Sequence, residues 1–408
     1  MLSQELNDQI TRIGPNASAG NVLRRYWQPA ALTDELDGDH PLPVNLMGER
    51  LVLLRDGEGE LSLHTREASV DEAPAHHPPR SEIRVKLDGV SYPVADRKGV
   101  IFAYLGPGEP PVFPNFDCFR APDSHVFAFK GLWECNWLQA LEIGIDPAHA
   151  SFLHRFLEDE DPADSYGKQF RDKAAHTNMP MTQILREYPR PDIEVDETDY
   201  GLKITALRHM ENELTHVRVT NQIFPQAICI PMSREMTITQ WHVPIDDETC
   251  YWFTIFTSFR APVDKELMRA QRLKEHRLPD YAPLKNRDND YHYDPREQAT
   301  TTYTGMGLDI NVHDQWAVEG MGRIQDRTQE HLGRSDVAII RFRRMLRQAI
   351  RDLETNNPDR LPMMHHAEAA AIVGPLSNDA VASTDQWRTA SSVADRERRS
   401  ACPWDASV

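Results

Sequence analysis

The chain has 408 residues, 40% hydrophobic and 26% charged, with a formal net charge of −18. That length exceeds what one minimal core needs, so two domains are the natural expectation. The acidic balance excludes the clustered Lys and Arg of a nucleic-acid binder, and no apolar run nears the roughly 20 residues of a membrane span.

In chain order, Met1–Asp8 has neither the basic nor the apolar segment of a secretion leader, which predicts a cytoplasmic protein. Residues 4–12 read as a short helix, and Asn21–Pro29 as an amphipathic piece ended by proline. From Pro41 to Val112 the pattern is that of strands: 51–55 stopped by Asp56-Gly57, 83–87 by Asp88-Gly89, and 100–105 by Gly106-Pro107-Gly108. The polar, proline-rich stretch Arg66–Arg80 between them predicts a loop. Pro110, Pro111 and Pro114 make a stiff exit from this small β unit. Trp133–Glu142 then opens a second unit, predicted to run as helix toward His154. Alternation from about Met181 to Phe259 predicts one antiparallel sheet, with Thr249–Thr257 as its most apolar and central strand. Residues 263–280 read as helix and 281–312 as a mobile loop over a site. The last long helix is placed at 335–354, with Ile339, Phe342, Leu346, Ile350 and Leu353 on one face. Beyond Asn356 a tail with a frayed end is expected. The five cysteines, Cys118, Cys135, Cys229, Cys250 and Cys402, form no C-x-x-C or C-x-H pair, so free thiols in a reducing compartment are expected.

Two segments carry chemistry. In Asp146-Pro-Ala-His149-Ala-Ser-Phe-Leu-His154, Asp146 and His149 are i and i+3, neighbours on a helical face. His149 and His154 are i and i+5, about 140° apart on an ideal helix, and meet on one ion only if the helix ends, bends or bulges there. Spacing alone leaves open a metal site or two ordinary, partly buried histidines. In the second segment, Val312-His313-Asp314-Gln-Trp-Ala-Val-Glu319, an N-cap role for Asp314 and an arginine pairing for Glu319 are the ordinary readings.

Asn136–Glu142 with Asp146-x-x-His149-x-x-x-x-His154 resembles the iron-binding helix of the Rieske non-heme iron oxygenases, above all their phthalate dioxygenase-like branch. Val22–Pro29, Gly99–Pro107, and Asp314…Glu319 with Gly322…Asp326-Arg327…Glu330-His331-Leu332-Gly333 extend that resemblance over most of residues 1–350. It implies an Fe(II) facial triad of His149, His154 and Asp314 with open positions for dioxygen or water. Asp314 is preferred to Asp309 or Glu319 on the family pattern. Asp146 is implied as the residue that hydrogen-bonds the far nitrogen of His149 and leads toward a neighbouring electron donor.

The chain departs from that family in its amino-terminal part. Members bind a [2Fe–2S] cluster there through C-x-H and C-x-x-H pairs. The corresponding stretch here, with His64, His76 and His77, contains no cysteine, so no cluster is expected and these histidines read as solvated. Three readings follow: an oxygenase fed by a separate Rieske or ferredoxin partner, a non-redox metal hydrolase or lyase, and a silent scaffold. The resemblance and Asp146 favour the first. It further implies an aromatic or related ring substrate and a homotrimer. Asn221, Ile223, Phe224, Trp241 and Thr254 are the expected pocket residues, although alternation turns half of any strand away. The expected fold is α+β: a degenerate Rieske-like β domain over 1–125, a helix-grip catalytic domain with an antiparallel sheet over 126–355, and a tail over 356–408.

Overall fold

The computed structural model of the protein describes residues 1–36, 40–67, 80, 83–86, 88–159 and 173–407. Helices α1 (Gln4–Thr11) and α2 (Ser18–Leu23) lead into β1 (Gln28–Leu32), β2 (Leu42–Leu46), β3 (Glu49–Arg55), β4 (Leu61–Thr65), β5 (Ser91–Tyr92), β6 (Val94–Arg97) and β7 (Val100–Ala103). These strands form two small antiparallel sheets, β1-β7-β6 and β2-β3-β4-β5. The predicted strand at 83–87 reduces to a single bridge between Val85 and Arg66, with Leu87 outside the described residues. His76 and His77 also lie outside them, whereas His64 sits in β4 opposite Val52.

After β8 (Asn115–Phe116) and α3 (Asp117–Arg120) the main sheet begins. Its strands are β9 (Val126–Trp133), β10 (Asp192–Thr198), β11 (Gly201–His209), β12 (Leu214–Ile223), β13 (Ala227–Pro231), β14 (Met236–Pro244) and β15 (Cys250–Ser258). The order is β10-β11-β12-β13-β14-β15-β9, antiparallel throughout. Helices α4 (Trp137–Ile145), α5 (Met181–Glu187), α6 (Lys265–Arg272), α7 (Pro295–Thr300), α8 (Ile310–Gly320) and α9 (Val337–Glu354) accompany it. The α+β architecture expected from the sequence is the one observed.

Three expectations need correction. β15 is not central but lies beside the edge strand β9. Its nine residues are nonetheless all buried, because elements cover both of its faces, and that produces an apolar run wherever a strand sits. Residues 281–312 contain α7 and a short 3₁₀ segment, and the carboxylate of Glu297 in α7 holds the turn that follows by accepting from Gly307 N and Thr302 Oγ1. The chain end is not frayed. After α10 (His366–Ala371) and β16 (Val373–Gly374), β17 (Asn378–Ser383) adds to the main sheet against β12, and α11 (Trp387–Ser400) follows. Arg399 of α11 bonds both carboxylate oxygens of Asp117, so the last helix is fixed by a buried charge pair.

Sheet and helices share one continuous hydrophobic core, from Ile10 and Val22 through Phe102 and Trp137 to Phe342 and Leu346. Gly131 of β9 has a packing reason. A Cβ there would stand 2.5 Å from the indole of Trp252, its cross-strand partner. Gly131→Ala should therefore destabilise the protein by about 1–3 kcal/mol, as overpacking does. Urea unfolding reads this directly, and an unchanged midpoint would show that the indole has room to move.

Candidate metal centre

Helix α4 starts with Asn136 capping Leu138 N and ends at Ile145. Asp146 is extended (φ −90°, ψ 106°), and Pro147 prevents the helix from resuming. The Asp146 carboxylate accepts from Ala148 N at 2.8 Å, and a single 3₁₀ turn, His149–Ser151, follows. The helix thus stops where i,i+5 histidines required it to stop, and both imidazoles turn to the same point. Arg208 of β11 fastens this turn from behind, donating to Pro147 O at 3.2 Å and Ser151 Oγ at 3.0 Å.

Asp314 lies in the first half of α8, and its Oδ1 is 3.6 Å from His149 Nε2 and 3.3 Å from His154 Nε2. One ligating atom from each of the three falls within 4.8 Å of the others. Neither contact is a hydrogen bond, and Asp314 Oδ1 is buried without one. A buried carboxylate oxygen aimed at two imidazoles yet bonded to neither is the arrangement a shared cation satisfies. Ligands about 2.0–2.2 Å from a divalent ion stand roughly 3–3.5 Å apart on one face, close to the spacing found, so the donor set fits. Burial acts on all three groups. It lowers His154 to about 3, with Arg218 adding to the effect. It lowers His149 against the pull of Asp314, and raises Asp314 to about 6 against the pull of His149 and His313. The imidazoles are accordingly neutral, the form in which histidine ligates.

The other carboxylates considered lie elsewhere. Asp309 caps α8 through Asn311 N and pairs with Arg272. Glu319 accepts from Tyr291 Oη at 2.6 Å and from Glu134 N at 2.8 Å. Asp146 needs a correction in detail: the atom that meets His149 Nδ1 is its main-chain carbonyl oxygen, not its carboxylate.

The cavity over the trio is walled by Ile143, Ile228, Ile230, Met232, Ile238 and Ile310, with Arg218, Thr220, Gln240, His242 and Asn311 as its polar lining. None of the expected pocket residues is among them. Ile223, Phe224 and Trp241 face a second, aromatic-walled cleft with Tyr26, Trp27 and Phe113. Asn221 bonds Tyr200 and Leu376 O, and Thr254 bonds Thr239 O. For Asn221, Ile223 and Trp241 the physical reason is parity. Positions 218, 220, 228, 230, 238, 240 and 242 share the metal face, while 223, 227 and 241 share the other. In β14 all nine residues are buried, and in β12 all but Leu214, so no exposed face marks the alternation. Arg218, Gln240 and His242 were missed for that reason.

The phthalate 4,5-dioxygenase oxygenase subunit of Pseudomonas putida is 29% identical over 86% of this chain and 86% of that protein. The 5,5'-dehydrodivanillate O-demethylase oxygenase subunit of Sphingobium sp. is 28% identical over 87% and 81%. Among solved structures, the reduced complex between oxygenase and ferredoxin in carbazole 1,9a-dioxygenase is similar over 91% of this chain and 98% of that one, at 17% identity and a TM-score of 0.47. The class is that of oxygenase subunits, which are oxidoreductases. The chain belongs to the LigXa C-terminal domain-like family, matched across residues 103–402, and with it to the Rieske non-heme iron oxygenases. No described helix is long and apolar enough to cross a membrane.

Proposed function

We propose that the chain is a mononuclear non-heme Fe(II) oxygenase acting on an aromatic or related ring compound, with His149, His154 and Asp314 holding the metal. The observation that carries this reading is the buried Asp314 Oδ1, facing two neutral imidazoles and hydrogen-bonded to neither. Bound there, Fe(II) would supply dioxygen activation by one-electron steps. The rest falls to the protein: the isoleucine walls exclude water and hold an apolar ring over the trio, and Gln240 and His242 orient it. The Asp146 carbonyl fixes His149, and the Asp146 carboxylate fixes the turn that carries it.

No cysteine precedes Cys118, so the amino-terminal strands offer no thiolate pair for a [2Fe–2S] cluster, and electrons come from a separate Rieske or ferredoxin partner docking near Asp146. In this reading residues 1–125 are the cluster-free β domain, the catalytic unit starts at β9, and the assembly is the homotrimer that the family resemblance implies. The test is elemental analysis with a visible spectrum on protein purified without added metal. About one iron per chain, without iron–sulfur bands, is the expected result. Zinc that resists replacement by Fe(II) would favour hydrolysis, and no metal after Fe(II) reconstitution would end the proposal.

A further inference from the structure

Arg218 brings a positive charge into the cavity that the trio lines, and a guanidinium does not lose its proton in a protein. Two neutral imidazoles and one carboxylate leave a divalent cation with a net positive charge. A second cation on the wall of the same buried space would repel it. The chain end offsets that charge. β17 pairs with β12 in a register that sets Asp379 directly opposite Arg218, and cross-strand partners share a face of the sheet. Arg218 Nη1 donates to Asp379 Oδ2 at 2.7 Å and Nη2 donates to Pro231 O at 3.0 Å. Both residues of the pair are 7% exposed.

The surroundings keep Asp379 ionised and in place. Burial pushes its carboxyl up, but Arg218, with His216 adding to it, outweighs burial and holds the group below its ordinary value. His216 Nε2 stands 3.3 Å from Asp379 Oδ1, and burial pushes that imidazole down, so it brings no further charge. The strand is tied on both sides: Arg398 Nη1 of α11 donates to Ser377 O at 2.9 Å, and Asn378 Nδ2 to Ser391 O at 2.9 Å. Asp146 also lines the cavity, and Arg208 lies behind its turn.

We infer that β17 completes the metal centre: Asp379 acts through Arg218, supplying the counter-charge that lets this cavity accept a divalent cation. The segment after residue 355 is then part of the centre and not a tail. The inference rests on the reading of the trio as metal ligands, and on nothing about substrate or electron donor.

Fe(II) is titrated anaerobically into the full-length chain after chelation, and into three variants that all keep Asp146 and Arg208. Asp379→Asn leaves Arg218 without this counter-charge and should weaken Fe(II) binding by roughly 10-fold or more. Arg218→Gln removes the cation itself and should bind Fe(II) at least as tightly as the wild type. The double variant should return to the wild-type affinity. Breaking a buried pair from either side lowers stability, so a role in packing alone would weaken the site in both single variants. Only a charge effect on the ion separates them. Wild-type affinity in Asp379→Asn, an equal loss in Arg218→Gln, or no recovery in the double variant would each overturn the inference. If Asp379→Asn fails to fold, a loss in either of the others still overturns it. A wild-type chain that takes up no Fe(II) would fail the metal reading itself, and the inference with it.

Discussion

His154→Ala and Asp314→Asn should each purify folded and without iron, with Fe(II) affinity reduced by more than the 10- to 100-fold that loss of a supporting hydrogen bond costs at metal sites. The two substitutions act differently. Alanine at 154 removes a proposed ligand that is 3% exposed and leaves a small apolar gap. Asparagine at 314 keeps the shape but removes the only negative charge among the three donors. For Asp314→Asn, stability should not fall in the metal-free state. With no cation present, burial already pushes the Asp314 carboxyl up to about 6, so replacing it relieves a desolvated group. Two controls separate this outcome from general damage to α8. Asp309→Asn, at the cap of the same helix, removes the charge that pairs with buried Arg272, and Glu319→Gln alters the bond to Tyr291. Both should lose stability and keep iron. Iron retained at the wild-type level in Asp314→Asn, or lost in Asp309→Asn alone, would move the third ligand off Asp314.

Some of this site was legible in the sequence because local chemistry decides it. The i,i+5 spacing of His149 and His154 demanded a helix end, and Asp146-Pro147 supplied one: a residue before proline is pushed out of the helical region, and the aspartate closes the turn. Strand positions were not legible in the same way. Register follows a period of two, and a choice that is wrong by one residue turns every side chain to the opposite face. A half-exposed strand reveals its parity by alternation, but β14 and β15 are buried along their whole length. Asn221 and Trp241 were therefore as plausible as Thr220 and Gln240 until the neighbouring strands were placed. The chain end misled for another reason. β17 and α11 are rich in Asp, Ser, Ala and Arg, a composition that reads as solvated, yet buried pairs such as Arg218–Asp379 and Arg399–Asp117 hold them in place. Composition does not reveal which charges will find partners across more than 150 residues of chain.

The second large effect is expected at Glu142, on the helix that delivers the histidines. Its carboxylate is 5% exposed and receives Arg343 Nε at 2.5 Å, Arg343 Nη2 at 2.8 Å and Arg327 Nη2 at 2.8 Å. Arg327 continues to Asn7 Oδ1, and Arg343 to Glu330. One carboxylate thus joins α4 to α1, to the loop before α9 and to α9 itself, which gives a physical role to the Asp326-Arg327…Glu330 run. Glu142→Ala leaves two guanidiniums facing each other in the core, and breaking a buried pair in this way costs about 3–5 kcal/mol. The sign of the pH dependence follows from the same contacts. Burial pushes the Glu142 carboxyl up, but the coulombic pull and hydrogen bonds of Arg327 and Arg343 outweigh it and hold the group below its ordinary value. A carboxyl with a depressed folded-state pKa contributes stability that is complete above its unfolded value, about 4.3, and is lost as pH falls through the folded one. The gap in unfolding free energy between wild type and Glu142→Gln should hence be widest near neutrality and shrink progressively below about pH 4.3. Urea unfolding at pH 7 and at several acid points measures it. A gap that stays constant with pH would mean that the charge of Glu142 does not hold the helix leading to the histidines in place, and a gap under about 1 kcal/mol at pH 7 would mean that the two arginines find other partners when it is gone.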